Sequence, residues 1–395
     1  MALVLIAASA GCTAPSLSPS AEPSKAAAPT ATVTAPATLA PTLIPPATAR
    51  PAAWIPTGDR VKASEPWAAT LLLDGRVLIV DGPNEADQQT RSSQLYDPAS
   101  GTWTATGNLI TPRYDAYTVT RLRDGKVLVA GGSNTRSDAL AAAELYDPAT
   151  GVWARTGHMT EGRSGHTATL LPNGQVLVTG GGPTGYGDAT AELYNPATGS
   201  WTASGRMRKA RIAYAATLLL DGKVLVAGGL GDDNALATAE IYDPGAGTWT
   251  ATGRMVNRHA DYVSVLLHDG KVLLVGSNGN ELYDPSSATW TLSGPMATHN
   301  AGAASLTLLS DGRVLVVGCC NDPGIPWGMD RAELFDEATG AWTAVAAVPA
   351  GCEDASVGLP NGTVLFAYAG CLADADGYGI ATASAELFDP GGETR

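Results

Sequence analysis

Seven times along the chain a short, apolar, β-branched run follows Asp-Gly or Asn-Gly. These dipeptides stand at 74–75, 124–125, 173–174, 221–222, 269–270, 311–312 and 361–362. A mixed stretch such as TVTRL at 118–122 precedes the dipeptide, and a run such as KVLVA at 126–130 follows it. Short runs bounded by turn residues predict strands. Asp-Gly between two of them accepts the positive φ of a tight hairpin. A third strand, AELYDP at 143–148 in one unit, ends in Asp-Pro-x-x-Gly. There Pro presets φ and Gly permits a left-handed residue, so the chain turns again. A short fourth strand begins at a tryptophan, as in Trp153-Ala154-Arg155-Thr156-Gly157.

The unit repeats. Its tryptophans are Trp54, Trp103, Trp153, Trp201, Trp249, Trp290 and Trp342, spaced by 49, 50, 48, 48, 41 and 52 residues. A period in this range indicates a propeller or a solenoid, and four antiparallel strands per period make one propeller blade. The two ends do not match. The chain stops at ELFDPGGETR with no tryptophan strand, and it opens on an orphan one, Trp54-Ile55-Pro56-Thr57-Gly58. The predicted fold is therefore all-β, a seven-bladed β-propeller over residues 54–395. Residues near 54–58 supply the outer strand of the seventh blade, and closure removes the exposed sheet edges.

Strands ending in Gly-Gly at 131–132, 180–181 and 228–229, each followed by a Tyr ahead of a Trp, resemble the kelch repeat. They resemble especially the bacterial kelch units related to the propeller of galactose oxidase. Four blades depart from Gly-Gly, with Asp81-Gly82, Gly276-Ser277, Gly318-Cys319 and Tyr368-Ala369. The resemblance implies the fold and little about function, because propellers host unrelated activities. Galactose oxidase-like enzymes hold copper with histidines and tyrosines. The five histidines here, His158, His166, His259, His268 and His299, include no two at metal-ligand spacing, so no metal or cofactor is expected. Periplasmic sialic-acid epimerases also resemble kelch propellers, which keeps a carbohydrate-active enzyme as the alternative. Its acid and base would come from Glu161, Glu353, Asp354 or His166. Asp232-Asp233-Asn234 and Asp374-Ala375-Asp376-Gly377 match only fragments of a calcium loop.

Composition separates the first residues from the rest. MALVLIAASAG followed by Cys12 resembles the end of a bacterial lipoprotein signal, which implies lipidation of Cys12 and a signal over residues 1–12. The apolar run is too short to span a bilayer. Residues 13–53 are Ala, Pro, Thr and Ser with nine prolines, no aromatics and only Glu22, Lys25 and Arg50 charged. Such a segment cannot form a core and reads as a disordered tether. The expected location is outside the cytoplasm, on the outer face of the cytoplasmic membrane or the cell envelope. A net charge of −14 argues against nucleic acid and anionic membrane surfaces as partners. Membrane contact is then through the lipid anchor alone, and the protein is expected to be a monomer.

Residues common to all blades read as scaffold, and residues that break the pattern read as candidates for function. The tryptophans, the Tyr or Phe before Asp-Pro, and the glutamate at 144, 192, 240, 281, 333 and 386 (Gln94 in the first unit) belong to the first class. Ten residues after each tryptophan stand Ser64, Arg113, Arg163, Arg211, His259, Asn300 and Cys352. These positions, with His166, are expected on the face that also carries the loops between second and third strands. Two readings stand: an open ring at the channel mouth that binds an anion, or arginines paired with neighbouring acids. The same face gathers the long loops 319–331 and 371–383, with Trp327, Met329 and Tyr378, beside a short loop at 277–280. Cys319, Cys320, Cys352 and Cys371 map there too and suit disulfides in an exported protein. The expected role is binding of a protein, peptide or glycan through this loop face.

Overall fold

The computed structural model describes residues 51–391, apart from 62–65, 83–90, 114–115, 135–138, 183–186, 232–233, 260–261, 277, 298–301, 320–328, 350–353, 370–371, 374–378 and 381–382. They fold as seven antiparallel four-stranded sheets and one two-stranded hairpin of Leu372–Ala373 with Gly379–Ile380. Blade 1 comprises Pro66–Leu71, Val77–Asp81, Ser93–Asp97 and Thr102–Ala105. Blades 2 to 6 span 117–155, 167–203, 215–251, 262–292 and 302–349. Blade 7 takes Asp354–Gly358, Val364–Ala369 and Ala383–Asp389 from the end of the chain and Ala53–Pro56 from its beginning. The first strands are neighbours in cyclic order, and that of blade 7 lies against that of blade 1. The ring is closed as the orphan tryptophan strand predicted. Trp54 pairs with Phe388, its ring lies 4.9 Å from that of Phe388, and its Nε1 donates to the Ala346 carbonyl of blade 6 at 2.7 Å.

Every sheet is covered on both faces by its neighbours. This is why the second strands are continuously apolar, and Val77, Val127, Val176, Val224, Val272, Val314 and Val364 are all buried. Seven hydrophobic clusters result, each between two adjacent blades. Burial of such area is the main stabilising term. The recurrent aromatics add directed bonds between blades. Tyr146 and Trp153 lie 5.1 Å apart. The Tyr146 hydroxyl bonds Thr106 of the preceding blade at 2.7 Å, and Trp153 Nε1 donates to the Gly107 carbonyl at 3.0 Å. Tyr194 with Thr156, Tyr242 with Ser204, and Tyr283 with Thr252 repeat the first bond. Trp201, Trp249 and Trp290 repeat the second onto Gly157, Gly205 and Gly253.

The Asp-Gly hairpins and Asp-Pro turns gather on one face, the hairpin face. The hairpin glycines hold φ between 82° and 88°, and Asp124 Oδ1 accepts the Lys126 amide at 3.1 Å to close one of the hairpins. The linkers between blades and the loops between second and third strands gather on the other face, the loop face. Ala53 pairs with Asp389 at the turn end of its sheet, so the chain enters the ring from the hairpin side.

Candidate functional site

On the loop face each linker is pinned twice. An apolar side chain two residues after the glycine goes inward: Leu109, Met159, Met207 and Met255 are all buried. The recurrent glutamate of the third strand then captures linker amides. Glu144 accepts from Ile110 and Thr111 at 2.7 and 2.9 Å, Glu240 from Arg208 and Lys209 at 2.7 and 3.1 Å, and Glu281 from Val256 and Asn257, both at 2.9 Å. A carboxylate that accepts two amides fixes the path of the backbone.

The same carboxylate meets the residue at the end of the linker. Arg113 pairs with Glu144 at 3.2 Å, Arg163 with Glu192 at 2.9 Å, Arg211 with Glu240 at 3.0 Å and His259 with Glu281 at 2.8 Å. The other guanidinium nitrogen donates to the first carbonyl of Gly-Gly, from Arg163 to Gly180 at 2.9 Å and from Arg211 to Gly228 at 2.7 Å. Arg113 makes the same bond to Gly131. Both glycines of each pair have positive φ. A Cβ on Gly131 would overlap His166 and the Arg163 carbonyl, so the dipeptide is dictated by close packing.

These four side chains are 0–2 % exposed. The arginines and the histidine do not form the open ring at a channel mouth that their spacing allows. They lie under the linkers, each turned to an internal glutamate. Burial draws the Arg113 and Arg211 guanidinium groups below the usual arginine range, and the neighbouring glutamates oppose it. Burial pushes Glu281 up, but the His259 bond and the two linker amides more than offset this and hold it below the usual carboxylate range. His166 takes the place that Tyr117 and Tyr214 hold in their blades. It is buried, with Nε2 3.0 Å from Thr118 Oγ1. Burial, then the Arg163 and Arg113 charges, lower it to about 3, so the ring is neutral.

Blade 1 builds the same lock from other residues. Ser64 falls outside the described residues, and the buried cation is Arg60, 3.4 Å from Asp81. Asp81 replaces the first glycine, and Gln94 replaces the glutamate and donates to Asp81 at 3.1 Å. Ser92 Oγ donates to Asp81 at 2.6 Å. The carboxylate has moved from third strand to second, and the charge balance survives. The joint departure at 81 and 94 was the one sequence signal for this exchange.

Cys12, Trp327, Tyr378, Cys320, Cys352 and Cys371 lie outside the described residues, as does the side chain of Cys319, so the cysteine pairing and most of the two long loops do too. Among the described residues no three His, Cys, Asp or Glu side chains gather as a metal site. The exposed residues that break the pattern on this face are Arg206, Arg208, Lys209, Arg254 and Arg258. On the hairpin face, grooves recur between successive blades, such as one of about 520 Å³ lined by Leu73, Asp74, Arg76, Lys126 and Asp147. Others between blades 2 and 3 and between blades 4 and 5 use the equivalent residues. Repetition marks these as products of the blade geometry.

The Kelch motif matches residues 211–255, which run from Arg211 through the whole of blade 4. The domain is a kelch-type propeller. Among solved structures, the "Structure of YjhT" is similar at 14 % identity with a TM-score of 0.56, covering 73 % of this chain and 99 % of that one. A fungal alcohol oxidase of the AA5 family in complex with copper is 16 % identical, covering 86 % of this chain and 76 % of the other. Its TM-score of 0.49 is too low to carry an argument. No curated protein matches the sequence. In this kelch propeller, then, Arg113, Arg163, Arg211, His259 and the glutamates serve the frame, and the side chains left for recognition are those the frame turns outward.

Proposed function

We propose that this kelch propeller is an exported, envelope-anchored binding module that takes a protein, peptide or glycan through its loop face. One observation carries the reading. The glutamates pin the linker backbone from inside, so that pattern-breaking side chains stand exposed on a rigid frame, and residues displayed by a rigid frame are where binding concentrates. The anchor in this reading is Cys12, and Cys12→Ser should move the protein from the membrane to the soluble fraction. The loop-face role is tested by placing a photo-crosslinking residue at Lys209 or, as control, at Leu73 on the hairpin face. Adducts from position 209 alone support the reading; adducts from position 73 alone overturn it. Turnover of a sugar by the purified chain would replace binding with the enzyme alternative.

A further inference from the structure

The linkers from blade 3 to 4 and from blade 4 to 5 differ from their equivalents in what they expose. At corresponding positions the linker into blade 2 offers Asn108, Ile110, Thr111 and Pro112, and the linker into blade 3 offers His158, Thr160 and Glu161. The next two offer Arg206, Arg208 and Lys209, then Arg254 and Arg258, all exposed. Five cations thus cluster in one sector of a chain whose net charge is −14.

The backbone is held at three of the five positions, and among the described residues only Arg206 has an acidic neighbour. The amides of Arg208 and Lys209 are bound to buried Glu240, which turns their side chains outward. Arg258 is fixed by its donation to the Ala235 carbonyl at 3.2 Å and by Asn278, which donates to the Arg258 carbonyl at 2.8 Å. Asp188 is 3.8 Å from Arg206 and is also drawn to Arg163 at 3.9 Å. Among the described residues no carboxylate makes an ion pair with Arg208, Lys209, Arg254 or Arg258. Val256 stands among them with 56 % of its surface exposed. Fixed arginines favour planar, bidentate carboxylate recognition, and an apolar side chain among them favours a ligand with apolar groups of its own.

We infer that the sector formed by these two linkers docks an acidic polypeptide segment that carries aliphatic side chains among its carboxylates. The inference rests on the loop-face reading and names the partner chemistry for it. The exposed Val256 favours a peptide, whose leucine or valine side chains can pack on it, over a polyuronate, whose rings carry no alkyl side chain.

The test uses the full chain and a fluorescent peptide of interspersed Asp, Glu and Leu, with a polyuronate as the second probe. The peptide should bind, weaken with added salt, and lose about tenfold or more in affinity with Arg208→Glu/Lys209→Glu or Arg254→Glu/Arg258→Glu. Val256→Ser should weaken the peptide and leave the polyuronate unchanged. Melting curves matching the parent exclude misfolding as the cause. Binding that ignores both charge reversals overturns the inference, as does a polyuronate that binds as tightly as the peptide, or no binding by the peptide. None of these outcomes touches the loop-face reading, which falls if crosslinks arise from the hairpin face alone or if the purified chain turns over a sugar.

Discussion

Blades 2 to 4 and blades 5 and 6 solve the same construction problem with different fidelity. In blades 2 to 4 a buried arginine, a glutamate, Gly-Gly and a tyrosine hydroxyl all recur. Blade 5 substitutes His259 for the arginine. Blade 6 has Phe335 where blades 1 to 5 have tyrosine. Its neighbour Ser293 Oγ, the counterpart of Thr106 and Thr156, is therefore buried without a partner among the described residues. Trp342 Nε1 reaches the Ser293 carbonyl only at 3.4 Å. Blade 6 also carries Glu337 where the others have proline, and that carboxylate accepts the His268 amide of blade 5 at 2.9 Å. Through these changes one feature persists, the glutamate that accepts linker amides; Glu333 still takes the Ala297 amide at 2.8 Å. The partner of the glutamate can be exchanged because several donors can satisfy a carboxylate. The carboxylate of blades 2 to 6 is kept because no other side chain there meets the inward-facing linker amides.

The comparison can be broken at its largest seam. A chain starting at residue 60 loses Trp54 and leaves Phe366 and Phe388 exposed; removing a packed tryptophan alone costs about 3–5 kcal/mol. Denaturant midpoints equal to those of the full chain would refute closure by the first strand. Next, Arg211→Ala leaves Glu240 buried without its cation, an expected loss of about 3–5 kcal/mol. His259→Ala should cost less, roughly 1–3 kcal/mol, since Arg211 also serves Gly228 and Thr238. Equal losses would mean that blade 5 is no looser than blade 4.

His166→Tyr, which installs the residue of blades 2 and 4, sharpens the comparison through pH. The folded ring stays neutral down to about 3, while the unfolded histidine binds a proton below about 6.5. Stability should therefore fall as pH drops from 6.5 toward 3, by on the order of 1 kcal/mol per unit from this group. The variant should show a shallower decline between pH 7 and pH 4.5, and parallel curves would contradict the neutral buried ring. The smallest effect is a gain. Phe335→Tyr gives Ser293 a hydroxyl partner and should raise stability by about 1 kcal/mol. An unchanged melting temperature would show that Ser293 already has one.

Much of this was legible in the chain itself. Asp-Gly, Asp-Pro-x-x-Gly and the tryptophan period mark hairpins, turns and blades because each acts through local backbone preference, and seven repetitions multiply a weak signal. The exchange of strands between the two ends followed from counting, since a propeller must close. The glutamate was recognisable as scaffold by its recurrence. The arginines were ambiguous, because spacing places a residue on a face but does not say whether its side chain points out or in.

Only the tertiary structure decided that direction. Arg163 lies 29 residues from Glu192 in sequence, and the two meet because Gly180 and Gly181 let the second strand turn under the linker. In blade 1 the carboxylate sits at Asp81 and the cation at Arg60, a pair that no fixed offset from the tryptophan would locate. The outward set, Arg206, Arg208, Lys209, Arg254 and Arg258, was equally hidden. Arg208 and Lys209 are exposed because buried Glu240 holds their amides from the other side. Sequence thus determined the number, order and closure of the blades, which depend on local turns and period. The fold determined which charges are spent inside and which face solvent, because that depends on partners brought together only when neighbouring strands pack.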